Sequence, residues 1–405
     1  MSPGKVRVAV KAPPAAAVAA ISGAVMKLVK RVTTVALGLL LMAGHTHAGV
    51  LAEDRADVLY HLYDGGGVEI DGPSVLVRKQ VGKNVSLVGN YYVDMVSSAS
   101  IDVITTASPY TEERTQWSMG MDYLRGNTTM SVAYTSSNES DFDAKTYSFS
   151  VSQDMFGDLT TLTLSYALGD DVVGRADDPS FERQNDRQHY GIGLTQIISR
   201  NLISSLNFET ITDEGFLNNP YRSVRYADAA SEVGYSYEPE LYPNTRTSNA
   251  LGVRAKYYLP YRAAIEGEYR YFTDTWKIDG HTAALTYIHP WGPWTFTAKY
   301  RYHDQTGASF YSDLFPRSEA TNFRGRDKEL SPLTSNTFKL GASYEFIGGA
   351  EGWRFIKKGT VTASIDFLQV DYHEFSDLSQ GALLGDEPLY SLEADVVQIF
   401  FSFWY

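Results

Sequence analysis

The side chains that could do chemistry are thinly spread along this chain. Of its eight histidines, His45 and His47 lie in an N-terminal leader, and His61, His189, His281, His289, His303 and His373 fall one to a segment. No H-E-x-x-H or C-x-x-C pair occurs, so zinc chemistry has no support from local spacing. A His and carboxylate site assembled across strands stays open. Asp64-Gly65-Gly66-Gly67 is glycine-rich, but it lacks the strand–loop–helix setting of a phosphate cradle and reads as a tight bend. Ser97-Ser98-Ala99-Ser100 followed by Asp102 puts hydroxyls near a carboxylate, yet no G-x-S-x-G elbow accompanies them. A small polar segment folding into the interior is the simpler reading. No catalytic, cofactor-binding or metal-ligating set emerges, so the chain reads as a non-enzyme that needs no cofactor.

More informative are charges that recur at every second position. Arg254 and Lys256 share one parity, as do Glu266, Glu268 and Arg270, then Lys299, Arg301 and His303, then Lys339 and Glu345. Between them stand apolar residues of the opposite parity: Trp294, Phe296, Ala298, Tyr300 and Tyr302, for example, or Phe338, Leu340, Ala342, Tyr344 and Phe346. Such alternation is a strand with two different solvents on its two faces. The charges either line water and set an ion preference or brace one strand against the next.

Which elements position them follows from three further features. The alternating segments run to about 10–14 residues, longer than soluble strands, as a tilted membrane strand requires. Tight turns alternate with long polar segments. The turns fall at 82–84, 126–127, 156–158, 199–201, 260–261 and 290–293, and the long segments near 102–112, 138–142, 170–187, 214–245, 304–335 and 373–389. Short periplasmic turns and long outer loops give that rhythm; the connection near Thr275 departs from it. The chain then ends VVQIFFSFWY. Val397, Ile399, Phe401, Phe403 and Tyr405 share one face, the form of a terminal signal read by the machinery that inserts barrels. In a soluble protein this strand would be a sticky edge.

Composition agrees. Aromatic residues make up 13%, with 28 tyrosines and 19 phenylalanines, which suits two interfacial girdles. Mean hydropathy is −0.24, and beyond residue 50 no uninterrupted run reaches the roughly 18 apolar residues of a membrane helix. A net charge of −13 argues against nucleic acid. The absence of cysteine excludes disulfides, thiolate metal sites and a lipidated N-terminal cysteine.

Residues 26–48, MKLVKRVTTVALGLLLMAGHTHA, read as a secretory signal. Lys27, Lys30 and Arg31 form its basic region, Val32 to Ala43 its apolar region, and Thr46 and Ala48 its cleavage site. Residues 1–25 read as an overlong start, and residues 49–405 as a single barrel domain. The expectation is an all-β, antiparallel, up-and-down transmembrane barrel of about 16 strands, Asp57–Tyr63 supplying the first, with about 14 as the alternative.

The blocks 53–79, EDRADVLYHLYDGGGVEIDGPSVLVRK, and 90–115, NYYVDMVSSASIDVITTASPYTEERT, resemble an uncharacterised, domain-of-unknown-function family of proteobacterial outer-membrane proteins. The resemblance implies the barrel and its location in the outer membrane, and no reaction. It also hints at a periplasmic redox or maturation setting, with a lipoprotein as neighbour. The expected surroundings are outer-membrane lipid, lipopolysaccharide and the assembly machinery. The acidic stretch of Asp170, Asp171, Asp177 and Asp178 suits either divalent-cation bridging to lipopolysaccharide or simple hydration. Three roles compete: a porin-like conduit for small solutes, a scaffold docking a periplasmic or surface partner such as a redox lipoprotein, and an outer-membrane hydrolase.

Overall fold

The computed structural model describes residues 50–98, 110–346, 355–381 and 383–405. The leader 26–48 and most of the Ser97–Asp102 stretch lie outside them. Alternation becomes strand along the whole described chain. The first nine strands are β1 (Arg55–Gly65), β2 (Val68–Val81), β3 (Val85–Ser98), β4 (Tyr110–Arg125), β5 (Thr128–Asn138), β6 (Phe142–Met155), β7 (Thr160–Val173), β8 (Arg183–Ser199) and β9 (Leu202–Gly215). A short hairpin, β10 (Ser223–Ala227) and β11 (Tyr235–Pro239), interrupts them. Then come β12 (Thr245–Tyr258), β13 (Ala264–Asp274), β14 (Asp279–Trp291), β15 (Trp294–Gln305), β16 (Leu333–Phe346), β17 (Lys358–Ser376) and β18 (Leu389–Trp404).

All but the hairpin form one closed antiparallel barrel of 16 strands, each bonded to its sequence neighbours with β9 joining β12. Closure is made by β1 against β18, from Arg55 opposite Trp404 to Gly65 opposite Ala394. The terminal strands therefore have no free edge, which removes the hazard that the aromatic C-terminus would otherwise pose. The strand expected at Asp57–Tyr63 is β1 and pairs with β2 over its full length, so the 14-strand alternative is excluded. Gly66 and Gly67, both at positive φ (59° and 74°), make the tight bend that joins them, a geometry that glycine adopts without strain.

The apolar parity points outward. Val58 and Tyr60, Leu87 and Tyr91, Met119 and Met121, Leu251 and Val253, and Phe338 and Leu340 are all exposed on the barrel's outside. Nothing but lipid can make an unbroken outer surface of this kind favourable. Aromatic contacts gather at two levels of this surface. Toward the loop end Tyr134 touches both Trp117 and Tyr147, and Tyr166 meets Tyr190. Toward the chain termini Trp294 packs on Tyr344 and Phe346 on Phe403. Val397, Ile399, Phe401 and Phe403 lie on the outward parity of β18, while Ser402 faces in, 2% exposed.

Candidate functional site

Placement of the sequence-derived charges follows from register. Arg254 stands opposite Glu268, and Lys256 opposite Glu266, across β12 and β13. All four occupy the face opposite Leu251, Val253 and Tyr269, hence the barrel interior. Arg254 and Lys256 bind Glu268 and Glu266 at 2.6 and 2.8 Å. β15 is not next to β13, because β14 intervenes and presents only Ala284 and Thr286 beside Glu268 and Glu266. Over these small residues Lys299 reaches Glu268 at 2.8 Å. One carboxylate thus holds two cations from strands on either side. Arg270 turns the other way, to Glu209 of β9 at 2.5 Å, which His189 also approaches at 3.3 Å.

Not every adjacent pair is of opposite sign. Lys299 and Lys339 stand directly opposite each other on β15 and β16. Each is drawn away by its own carboxylate, Lys339 by Asp366 at 2.7 Å on β17. Glu345 pairs with Lys358 at 2.7 Å near the terminal end. Arg301 has no ion pair among the described residues, and His303 accepts from or donates to Thr282 at 2.8 Å. These groups keep contact with solvent: 38% of the Arg254 side chain, 45% of Lys256 and 43% of Arg270 are exposed.

The wall formed by β1–β4 is different, and its central group escaped sequence reasoning. His61, Asp94 and Arg114 stand in one row across four strands. Arg114 is opposite Asp94, while His61 is opposite Gly72. A Cβ on Gly72 would lie 1.9 Å from the Val93 carbonyl oxygen, so glycine is required for β2 to lie this close to β3 and for His61 to cross it. His61 Nε2 then meets Asp94 at 2.8 Å, Arg114 meets the other Asp94 oxygen at 3.0 Å, and Tyr92 stacks on the imidazole at 5.1 Å. All four are buried. Isolated histidines gave no hint of the row, because its members are 33 and 20 positions apart in the chain.

The long loops were the second surprise. Read as polar, they pack into a lid instead. Arg225 of β10 donates to the carboxylate and carbonyl of Asp313 and, at 2.6 Å, to Glu387. Arg326 binds the second Asp313 oxygen at 2.8 Å and lies over the Phe375 ring at 4.4 Å. Burial alone would raise the Asp313 carboxyl, but Arg326 and Arg225 outweigh it and hold it below the usual carboxylate range. Beneath this hub Tyr242, Trp276, Ile278, Ala308, Phe310 and Leu330 form an apolar core. Within it Glu240 is buried beside Asp327, which pushes its pKa up to about 7 against the pull of Arg222. The lid reaches rim positions nearly across the ring from one another: Tyr221 donates to Asp141 in the β5–β6 turn at 2.5 Å, and Tyr311 to the Glu374 carbonyl of β17 at 3.2 Å.

Of the acidic stretch, Asp171 is buried in β7 and Asp177 pairs with Arg175 at 2.8 Å, which leaves Asp170 and Asp178 exposed. The grouping with metal-ligand spacing among the described residues is Glu112, Glu139 and Asp141, at the loop end and away from the lumen charges.

A closed 16-strand barrel with an apolar outer face and a charged interior defines an outer-membrane β-barrel protein. The chain belongs to the family described as "Protein of unknown function (DUF3570)", whose model matches residues 101–403. The match begins inside the second resembling block, so the first, 53–79, precedes it. No curated protein sequence matches the chain. Among solved structures it is similar to a bacterial polysaccharide outer membrane secretin, at 8% identity and TM-score 0.47, over 89% of this chain and 99% of that one. It is also similar to the siderophore receptor PirA from Pseudomonas aeruginosa, at 9% identity and TM-score 0.41, over 87% and 81%. Outer-membrane expressed OmpT of Vibrio cholerae matches at 9% identity and TM-score 0.41, over 87% and 97%. These likenesses carry no information on solute or partner.

Proposed function

We propose that this protein is a lidded, porin-like conduit for small solutes, in which the charges of β12–β17 line the water path. One observation carries the reading. The side chains of Arg254, Lys256 and Arg270 are 38%, 45% and 43% exposed although all three point into the barrel. Charges that merely braced a plugged interior would be packed against one another, since an ion leaves water only at high cost. Here each ion pair keeps one side in water, where it acts on the field that a passing solute crosses. Arg301, with no ion pair among the described residues, adds a fixed positive charge to that path.

Purified protein in a planar bilayer tests this. Stepwise conductance is the expected outcome; a silent barrel would refute it. A scaffold is the second reading, favoured by the lid, which ties the β9–β12, β15–β16 and β17–β18 connections into one surface. Silence together with a stoichiometric co-purifying partner would support it.

A further inference from the structure

We propose that Glu112, Glu139 and Asp141 form a calcium site at the loop end of the barrel, where it fixes the β5–β6 turn and, through Tyr221, one edge of the lid. Glu112 lies on the inner face of β4, and Glu139 and Asp141 lie in the turn that follows β5. One carboxylate oxygen from each lies within 4.8 Å of the others. Oxygens bound at roughly 2.3–2.6 Å to one calcium ion are at most about 5 Å apart, so the three can share an ion with at most a small adjustment of their side chains.

Proximity of acidic groups alone would mean little; the state of the oxygens says more. Asp141 is only 7% exposed. Its Oδ2 accepts from the Tyr221 hydroxyl at 2.5 Å, but Oδ1 is buried with no donor among the described residues. Glu112 repeats the arrangement. Its Oε1 is held by the Ser140 amide and hydroxyl at 3.1 and 2.6 Å, and its buried Oε2 has no donor among the described residues. In both residues one oxygen is held by a protein donor while the other is buried without one among the described residues. A buried, unsatisfied carboxylate oxygen is costly, and no lysine or arginine pairs with Glu112 or Asp141 among the described residues.

The all-oxygen donor set excludes metals that select nitrogen or sulfur. Three protein carboxylates suit calcium better than magnesium, which keeps most of its waters and demands a tighter octahedron. The site lies where the sheet leaves the membrane on the loop side. Sites of extracellular modules bind calcium with Kd of about 10⁻⁴–10⁻³ M, and that is the range expected here.

The test uses the whole barrel, refolded in detergent without lipopolysaccharide and stripped with chelator at neutral pH. Terbium is added as probe, and its emission sensitised by Tyr221 is followed as calcium displaces it. Saturable binding is expected, with calcium protecting the lid from protease. Glu112→Gln and Asp141→Asn should each weaken binding roughly tenfold or more, while Asp170→Asn, at an exposed surface position, should not. Glu112→Gln keeps an acceptor for Ser140 and decides the matter if Asp141→Asn fails to fold. The proposal falls if no saturable binding occurs, or if both cluster variants bind as the unaltered protein does. Equal competition by magnesium would overturn the assignment to calcium.

Discussion

Replacing Arg225 by methionine should loosen the lid without opening the barrel wall. Methionine preserves much of the stem's packing and removes the charge, of which only 2% of the side chain is exposed. Asp313 would keep Arg326 at 2.8 Å. Glu387 would keep only backbone amides, that of Gly385 at 2.7 Å and its own. The loss is therefore mainly one carboxylate left buried and uncompensated. Breaking one partner of a buried pair costs about 3–5 kcal/mol, and the surviving Arg326 contact places this case at about 3 kcal/mol. At 1.4 kcal/mol per factor of ten, lid opening becomes roughly 100-fold more populated. Limited proteolysis at low protease reads that population directly, because cleavage tracks the open fraction when opening is fast. Cuts should concentrate in 216–244 and 306–332. The barrel should still migrate as a folded, heat-modifiable species, since Arg225 bonds to Asp313 and Glu387 in the connections and not within the barrel strands. Adding Glu387→Gln should restore about 1–2 kcal/mol by removing the orphaned charge. A cleavage rate within twofold of the unaltered protein would show that the hub does not hold the lid.

Replacing Phe403 and Tyr405 by alanine should leave synthesis intact and abolish insertion, because Phe403 ends the outward face of the closing strand and Tyr405, just beyond it, ties the chain end to the Arg78 carbonyl at 3.0 Å; normal heat-modifiable barrel in the outer membrane would contradict it. Glu240→Gln should flatten the pH dependence of the lid. Burial raises the Glu240 carboxyl from 4.5 to about 7, so its protonated form favours the folded lid. That contribution is fully present below pH 4.5 and is lost as pH rises through about 7, the direction set by linkage. Protease sensitivity that rises across this window in the unaltered protein and stays level in the variant is the expected pattern; identical profiles would sink it. The mass of membrane-extracted protein should correspond to a chain beginning near Gly49, and a chain that retains residues 26–48 would overturn the secretory reading.

What was legible in the sequence was what depends on neighbours along the chain. Period-two alternation fixes the facing of Arg254, Glu268 and Lys299, because a strand one residue out of register would expose charge to lipid. Strand number followed from the requirement that both termini share one end, which made β1 necessary. What was not legible depends on neighbours across space. No local pattern says that Lys299 faces Lys339, or that Ala284 is small so that Lys299 can reach past it to Glu268. Arg225 and Glu387 are 162 positions apart, so loops that look merely polar carry the complementary charges of a packed lid. The row of His61, Asp94 and Arg114 is likewise assembled by register alone, with Gly72 as its single local trace.

If this protein is a conduit, water fills the barrel and the inward charges of β15 set its field. Single-channel reversal potential of Lys299→Glu/Arg301→Glu, compared with the unaltered protein under a salt gradient, tests it most directly. The structure predicts that this variant assembles. Position 299 faces Lys339, so a carboxylate there can share that cation with Asp366, and Glu268, losing Lys299, keeps Arg254 at 2.6 Å. Selectivity should then move toward cations with little loss of thermal stability. An unchanged reversal potential in a stable, conducting barrel, or no conductance from either protein, would contradict the claim.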